Sequence, residues 1–379
     1  MDFELTKQQE MARVTFRRFA ETEVKPLAAE VDETERFPRE TVEKMAKLGI
    51  LGIPYPKQYG GAGGDYLTYA IAVEELSKVC ATTGVIVSAH VSLGCAPIYY
   101  FGTEEQKQKY LVPMAKGEKL GAFGLTEPNA GTDASAQQTV AEDMGDHWLI
   151  NGSKVFITNG GQADVYVIFA MTDKSKGNRG ISAFIIEKDY EGFSIGKKEE
   201  KMGIRGSATT ELIFTDMKVP KENLLGGIGD GFKIAMSTLD GGRIGIASQA
   251  LGIAEGAFEE TIKYMKERIQ FGKPLSAFQG LQWMAADLEA RIQAAKLLVY
   301  NAAMAKQTGK KYSKEAAMAK LYAAETAIEV TTKCVQLHGG YGYTRDYPLE
   351  RMMRDAKITE IYEGTSQVQR MVISGSLFR

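Results

Sequence analysis

Val165-Tyr166-Val167-Ile168-Phe169-Ala170 and Ile181-Ser182-Ala183-Phe184-Ile185-Ile186 are two short runs of β-branched, aromatic and aliphatic residues. With Trp148-Leu149-Ile150 and Lys154-Val155-Phe156-Ile157-Thr158 they place strands between about Leu120 and Pro220. Asn151-Gly152 and Asn159-Gly160-Gly161 fall between runs and read as short turns. No helical pattern long enough for a crossover separates the strands, so the expected sheet is largely antiparallel.

On either side the period changes. From Thr6 to about Gly117 the apolar residues recur at helical spacing, as in Met11, Val14, Phe16 and Phe19, then Val42, Met45, Ala46 and Leu48. Pro54-Tyr55-Pro56 and Gly60-Gly61-Ala62-Gly63-Gly64 interrupt this region, and a new helix is expected near Asp65. After Gly231 the helical period returns nearly to the end, with breaks at Phe271-Gly272-Lys273-Pro274 and His338-Gly339-Gly340. The order is helices, strands, helices.

The chain has 379 residues, enough for two or three packed regions and for an enzyme's core. Forty-six basic against 48 acidic residues, with no long block of one sign, argue against a nucleic-acid or anionic-membrane surface. Cys80, Cys95 and Cys334 are odd in number and far apart, which fits neither a disulfide framework nor a thiolate metal site, and a reducing cytoplasm suits them. Met1-Asp2-Phe3-Glu4-Leu5 is acidic where a signal peptide is basic, and no apolar run is expected to approach the ~20 residues of a membrane span.

Several chemistries lack their residues. The histidines, His90, His147 and His338, have no metal-ligand spacing to one another or to a cysteine, and the same scarcity speaks against a Ser-His-Asp triad. Gly227-Ile228-Gly229-Asp230-Gly231 is spaced G-x-G-x-G rather than as a dinucleotide-binding loop, and reads as a turn entering a helix. Three loops stand out instead. Phe123 through Asp133 concentrates hydroxyls, glycines and backbone amides, as an anion or a flavin edge requires. Gln336-Leu337-His338-Gly339-Gly340 allows close backbone approach to a ligand, and Arg268-Ile269-Gln270-Phe271-Gly272 sets an Arg and an aromatic before a helix break. Finally, Ile361-Tyr362-Glu363-Gly364-Thr365-Ser366-Gln367 places a carboxylate directly before a glycine. A Glu held there and buried has the raised proton affinity of a general base, whereas the plain alternative is a solvated helix-end Glu.

Taken together these segments resemble the acyl-CoA dehydrogenase family over nearly the whole chain. The motifs occur in the family's order: Leu125-Thr126-Glu127-Pro128 through Asp133, Phe156-Ile157-Thr158-Asn159-Gly160, Met202-Gly203-Ile204-Arg205-Gly206-Ser207, Arg268 through Gln279, Gln336 through Gly340, and Ile361 through Gln367. Thr83-Gly84-Val85, Asn129 through Asp133 and Leu239 through Ala247 are most similar to the bacterial short-chain, butyryl-CoA branch.

The resemblance implies a mainly α fold with a central β domain: an N-terminal helical domain over 1–119, a middle antiparallel β domain over 120–226 and a C-terminal four-helix bundle over 227–379. It implies FAD as cofactor, a homotetramer built as a dimer of dimers, a short-chain acyl-CoA as substrate, and an electron-transferring flavoprotein as redox partner. By the same resemblance Phe123, Leu125 and Thr126 line the flavin ring, with Gly131 in the same loop and Thr132 near the pyrophosphate and the CoA moiety. Phe156, Ile157 and Thr158 cover the other side, Phe156 standing where many relatives have Trp. Arg268, Phe271, Gln279, Gln336, Leu337, Gly339 and Gly340 are supplied to the FAD of a neighbouring subunit, and Thr365 and Gln367 to the chain's own. Asp240, Arg243 and Gly364 match positions at the acyl-CoA, and Tyr362 lies beside the acyl pocket.

Glu363 matches the family's catalytic base. In some branches that base comes from the position of Gly242, which as glycine cannot serve. The implied reaction moves the substrate's α-proton to Glu363 and the β-hydride to flavin, taking butyryl-CoA to crotonyl-CoA, or runs in reverse on the same site. A dehydrogenase of other chain length, a flavin oxidase, or a non-catalytic acyl-CoA binding protein on the same fold are the alternatives.

Overall fold

The computed structural model describes residues 4–378; Met1-Asp2-Phe3 of the acidic N-terminal run lie outside them. The N-terminal helices are α1 (Lys7–Phe19), α2 (Ala28–Thr34), α3 (Arg39–Lys47), α4 (Tyr66–Ser77), α5 (Ala81–Ser88), α6 (Ala96–Phe101), α7 (Glu104–Gln106) and α8 (Val112–Ala115). Eight strands follow: β1 (Gly121–Gly124), β2 (Val140–Asp143), β3 (His147–Thr158), β4 (Val165–Met171), β5 (Ile181–Glu187), β6 (Phe193–Lys198), β7 (Thr209–Pro220) and β8 (Leu224–Leu225). The C-terminal helices are α9 (Gly231–Glu267), α10 (Gln279–Gln307), α11 (Ser313–His338), α12 (Leu349–Lys357) and α13 (Ser366–Leu377), with a small hairpin, β9 (Ile269–Gln270) and β10 (Lys273–Pro274), between α9 and α10.

The main sheet runs β6-β7-β3-β2-β4-β5-β8, and β1 joins the side of β4. Its pairings are antiparallel except those of β1 and β2 with β4, which are parallel. The register explains why β4 and β5 read as unbroken apolar runs. On β4, Val165, Val167, Phe169 and Met171 pack with the helices, while Tyr166, Ile168 and Ala170 belong to the sheet domain's own core with Trp148, Phe184 and Phe214. Both faces are covered, so neither alternate set can be polar.

Asp65 caps α4, its Oδ1 accepting from the Thr68 backbone N–H at 2.7 Å, as the sequence leads one to expect. Four readings need correction. Asn151-Gly152 is not a turn: β3 runs straight through it, with a register shift beside Gly152, whose φ is +143° and whose absent Cβ would meet Thr139 Oγ1 at 2.6 Å. Residues that make turns also make bulges, and pairing on both sides of β3 selects the bulge. Met11 and Val14 are exposed, because α1 buries Gln9, Phe16 and Phe19. Leu48, just past α3, is half exposed. The helical segment Ala81–Phe101 does have the length and hydropathy of a membrane span, and its apolar window is wholly buried inside the fold.

Close packing of α9 on α4 needs glycine. A Cβ at Gly252 would lie 2.3 Å from the Glu74 carbonyl oxygen, and one at Gly256 would lie 2.0 Å from that of Lys78. At the same junction Lys78 pairs with Glu255 at 3.0 Å, and the Tyr300 hydroxyl donates to Glu74 at 2.7 Å. Burial, then repulsion from Glu255, pushes the Glu74 carboxyl up to about 8. The Met202–Ser207 motif forms the junction of all three regions. Asp355 of α12 accepts the Ile204 backbone N–H at 2.5 Å, Arg354 reaches Asp32 of α2 at 2.7 Å, and Arg205 bonds Glu35 at 2.9 Å. Gly203 passes so near the Arg354 backbone that a Cβ would lie 2.5 Å from it.

Candidate active site

Glu363 lies in the irregular stretch between a 3-10 turn, Ile358–Glu360, and α13. Its φ is +51° and that of Gly364 is +92°, two successive left-handed residues of which only glycine adopts the conformation freely. A non-glycine residue held there costs about 1–3 kcal/mol, and such strain persists where its surroundings enforce it. Here they do. Thr365 caps α13 through Val368, Gln369 donates to the carbonyls of Glu363 at 3.2 Å and Gly364 at 2.8 Å, and the Lys320 amine of α11 donates to Gly364 at 2.8 Å.

The turn delivers the Glu363 carboxylate onto α9. A Cβ at Gly242 would sit 2.0 Å from Oε2 and 2.8 Å from Cδ, so the position from which some branches supply the base is here the space the Glu363 carboxylate occupies. Glu363 as a residue is half-buried, yet its Oε2 is buried and, among the described residues, has no hydrogen-bond partner. Burial raises its carboxyl to about 8, against the opposing pull of Lys320 and Arg243. A strained, buried, unsatisfied carboxylate is costly for a fold, which makes it a mark of function.

Around it, Arg243 bonds Asp240, which also accepts from the Ser313 hydroxyl, and the Arg243 Nε is buried with no partner among the described residues. Tyr362 donates to Gln249 of α9, and Gln249 donates to the Ala81 carbonyl at 2.9 Å, tying the turn to α5. Asp240, Arg243, Tyr362 and Gly364 therefore converge with Glu363, as expected of an acyl-CoA subsite.

The remaining expected residues fall into two other groups. Phe123 lies on β1 and Leu125 and Thr126 follow it, with Phe123 packed edge-on to Phe169 at 5.0 Å. Gly131 and Thr132 are exposed further along that loop. Ile157 is buried, Thr158 is half-buried, and Phe156 is 62% exposed at φ +60°. Such a large ring held outward in a left-handed residue suits a planar partner. The second group lies in the bundle. Arg268, Gln336, Leu337, Gly339 and Gly340 line a cleft of about 760 Å³ with Tyr264 and Tyr341. Added Cβ atoms at Gly339 and Gly340 would meet open space. The Arg268 guanidinium lies 5.5 Å from the Tyr341 ring centroid and, among the described residues, has no ion-pair partner. Phe271, 94% exposed, and the exposed Gln279 stand nearby on the hairpin and the start of α10. Gln367 is exposed on α13. An unpaired arginine over a glycine-lined cleft fits a pyrophosphate, and the outward Phe156 fits a ring system, so the residues present suit FAD.

Three contributors escape a reading of local sequence. Lys154, fully buried on β3, donates to Glu127 at 2.7 Å, Gln137 at 3.0 Å and the Leu125 carbonyl at 3.3 Å, and so holds the Leu125–Glu127 loop. Its partner Glu127 also accepts from the Gln138 and Thr139 backbones. Lys320 and Gln369 hold the Glu363 turn. Lys320 left a trace, since it stands on an α11 face otherwise made of Ala316, Ala323, Ala324 and Ala327.

This fold and site define a flavoenzyme of the acyl-CoA dehydrogenase class, and the chain belongs to that family. The descriptions of the acyl-CoA dehydrogenase N-terminal, middle and C-terminal domains match residues 6–118, 122–217 and 229–378. The chain is 69% identical, over the full length of both, to the short-chain specific acyl-CoA dehydrogenase of Clostridium acetobutylicum. The solved butyryl-CoA dehydrogenase of Megasphaera elsdenii superposes with a TM-score of 0.99 at 55% identity, each chain wholly covered. A chain in a structure concerned with the electron transferring flavoprotein of Acidaminococcus fermentans and flavin-based electron bifurcation matches with a TM-score of 0.99 at 60% identity, again over all of both chains.

Proposed function

We propose that Glu363 is the base of an FAD-dependent α,β-dehydrogenation of short-chain acyl-CoA. The class of reaction, the FAD and the short-chain substrate follow from the family and its short-chain members. The observation that carries the assignment of the base is the buried, unpartnered Oε2 of Glu363, pressed against Gly242 at a left-handed turn.

A carboxylate in water is far too weak a base for a thioester α-proton. Burial raises the proton affinity of Glu363, and its Oε2 has no internal bond to break before accepting the proton. The Glu363 backbone N–H has no acceptor among the described residues, so it is available to the thioester oxygen as enolate-like charge develops there. One such preorganised donor is typically worth roughly 3 kcal/mol. The clamp by Thr365, Gln369 and Lys320 fixes that N–H and the carboxylate together, so that donor and base act on the same thioester. Asp240 and Arg243 border the substrate, and the orphaned Arg243 Nε offers it a further donor. When bound, FAD would supply the acceptor for the β-hydride, with an electron-transferring flavoprotein as redox partner.

The bundle cleft of Arg268, Gln336, Leu337, Gly339 and Gly340 shares no lining residue with the Glu363 site. This separation supports assigning it to the FAD of a second copy within a homotetramer, while Phe123, Leu125, Thr126, Gly131, Thr132, Phe156, Ile157, Thr158, Thr365 and Gln367 serve the chain's own. Anaerobic titration of the yellow holoenzyme with acyl-CoAs of increasing length tests the function. Butyryl-CoA should bleach the flavin and yield crotonyl-CoA, with selectivity graded at about 1–3 kcal/mol per methylene. Faster bleaching by octanoyl-CoA than by butyryl-CoA would reject the short-chain reading.

A further inference from the structure

Lys320 stands on a face of α11 whose other members, Ala316, Ala323, Ala324 and Ala327, are fully buried, and it is itself without solvent exposure. A buried ammonium carries a desolvation cost of several kcal/mol, so its presence calls for a partner. Among the described residues its ammonium makes one hydrogen bond, to the Gly364 carbonyl at 2.8 Å. That carbonyl already accepts from Gln369 at 2.8 Å, so backbone satisfaction alone does not account for a lysine. No carboxylate among the described residues lies within ion-pair distance of Lys320.

The charge therefore acts through the turn. Other groups also face the Glu363 carboxylate. Gly242 of α9 lies against it, Arg243 of α9 and Tyr69 of α4 act on it through their charge or dipole, and Tyr362 is its neighbour in the chain. Of the two cations, Arg243 is engaged by Asp240, whereas Lys320 has no carboxylate of its own. Glu360 and Glu325 act on Lys320 more weakly than Glu363 does.

We propose that Lys320 is the positioning residue of the base: its buried ammonium holds the left-handed Glu363–Gly364 turn from beneath and is the counter-charge against which Glu363 ionises. The inference rests on the reading of Glu363 as the base. Burial pulls the Lys320 amine down to about 8, so it is still mostly protonated at pH 7, and its charge opposes the rise that burial imposes on Glu363. Removing that charge while keeping the bulk must make Glu363 harder to ionise.

The test uses FAD-loaded Lys320→Met, Lys320→Gln and Lys320→Arg. Gln keeps a donor for Gly364 without the charge, and Arg keeps the charge. Two readouts are taken: infrared titration of the protonated-carboxyl band that Glu363→Gln abolishes, in resting enzyme, and the pH profile of anaerobic flavin reduction by butyryl-CoA. Met and Gln should move both midpoints upward by about one pH unit or more, roughly a 10-fold loss of ionised base at a fixed lower pH. Arg should restore them. Midpoints that stay in place while rates fall uniformly, or Met and Gln variants that lose flavin and fold alike while Arg behaves as wild type, would make Lys320 merely structural and overturn the inference. If the band and the acid limb instead survive in Glu363→Gln, the base assignment itself fails, whatever the Lys320 variants show.

Discussion

Gly242→Ala puts one methyl group where the base now sits, and the structure sets opposite signs for its effects on activity and stability. The new Cβ would begin 2.0 Å from Glu363 Oε2 and 2.9 Å from Leu93 Cδ2, so the carboxylate must withdraw by about 1 Å or more to regain ordinary contact. A displacement of that order at a reacting group costs about 10²-fold in rate, or roughly 3 kcal/mol. The obstruction lies mostly at the far end of a flexible side chain, and alanine favours a helix interior over glycine by about 1 kcal/mol. The variant should therefore fold, hold FAD and melt no lower than wild type, while stopped-flow flavin reduction by butyryl-CoA slows by about two orders of magnitude. Reduction within a few-fold of the wild-type rate would refute the placement of the base against α9. A slow variant that has also lost flavin or several degrees of melting temperature would instead indicate general disruption.

Other expectations concern the cofactor loop, the bundle cleft and pH. Lys154→Met leaves Glu127 buried without its cation, a loss of about 3–5 kcal/mol in denaturant unfolding, and the freed Leu125–Glu127 loop should lower the FAD content of the purified protein. Arg268→Ala should weaken FAD retention by roughly 10- to 100-fold, the worth of charge-assisted hydrogen bonds, and Arg268→Lys should recover only part of it because the fork geometry is lost. Unchanged flavin retention in Arg268→Ala would remove that arginine from the cofactor site. Because the base must be ionised and burial holds Glu363 near 8, kcat/KM should rise with pH through an acid limb close to 8, measured with butyryl-CoA under steady-state conditions.

The order of helices, strands and helices is legible because β4 and β5 are covered on both faces and α4 carries an explicit cap in Asp65. Hydrophobic pattern and turn chemistry act locally, so they announce themselves in a single stretch. Asn151-Gly152 misleads for the same reason: its chemistry serves a turn or a bulge equally, and only the strands on either side decide. Met11 and Val14 share the spacing of Phe16 and Phe19, but the packing of α1 on α4 chooses which stripe is buried. At the site, Glu363 is marked by the glycine after it, and the Arg268 and Gln336–Gly340 loops by their composition. The groups that make Glu363 unusual come from afar. Gly242 and Lys320 meet its turn only through tertiary packing, just as Lys154 meets Glu127 across 27 residues of chain.

The central claim is that one carboxylate, Glu363, removes the α-proton. Glu363→Gln keeps the size and left-handed backbone of that residue while removing its capacity to act as a base, so anaerobic mixing of the FAD-loaded variant with butyryl-CoA isolates the claim. The variant should retain FAD and bind the thioester with its flavin still oxidised. Bleaching of the flavin at the wild-type rate would show that the proton leaves by another route.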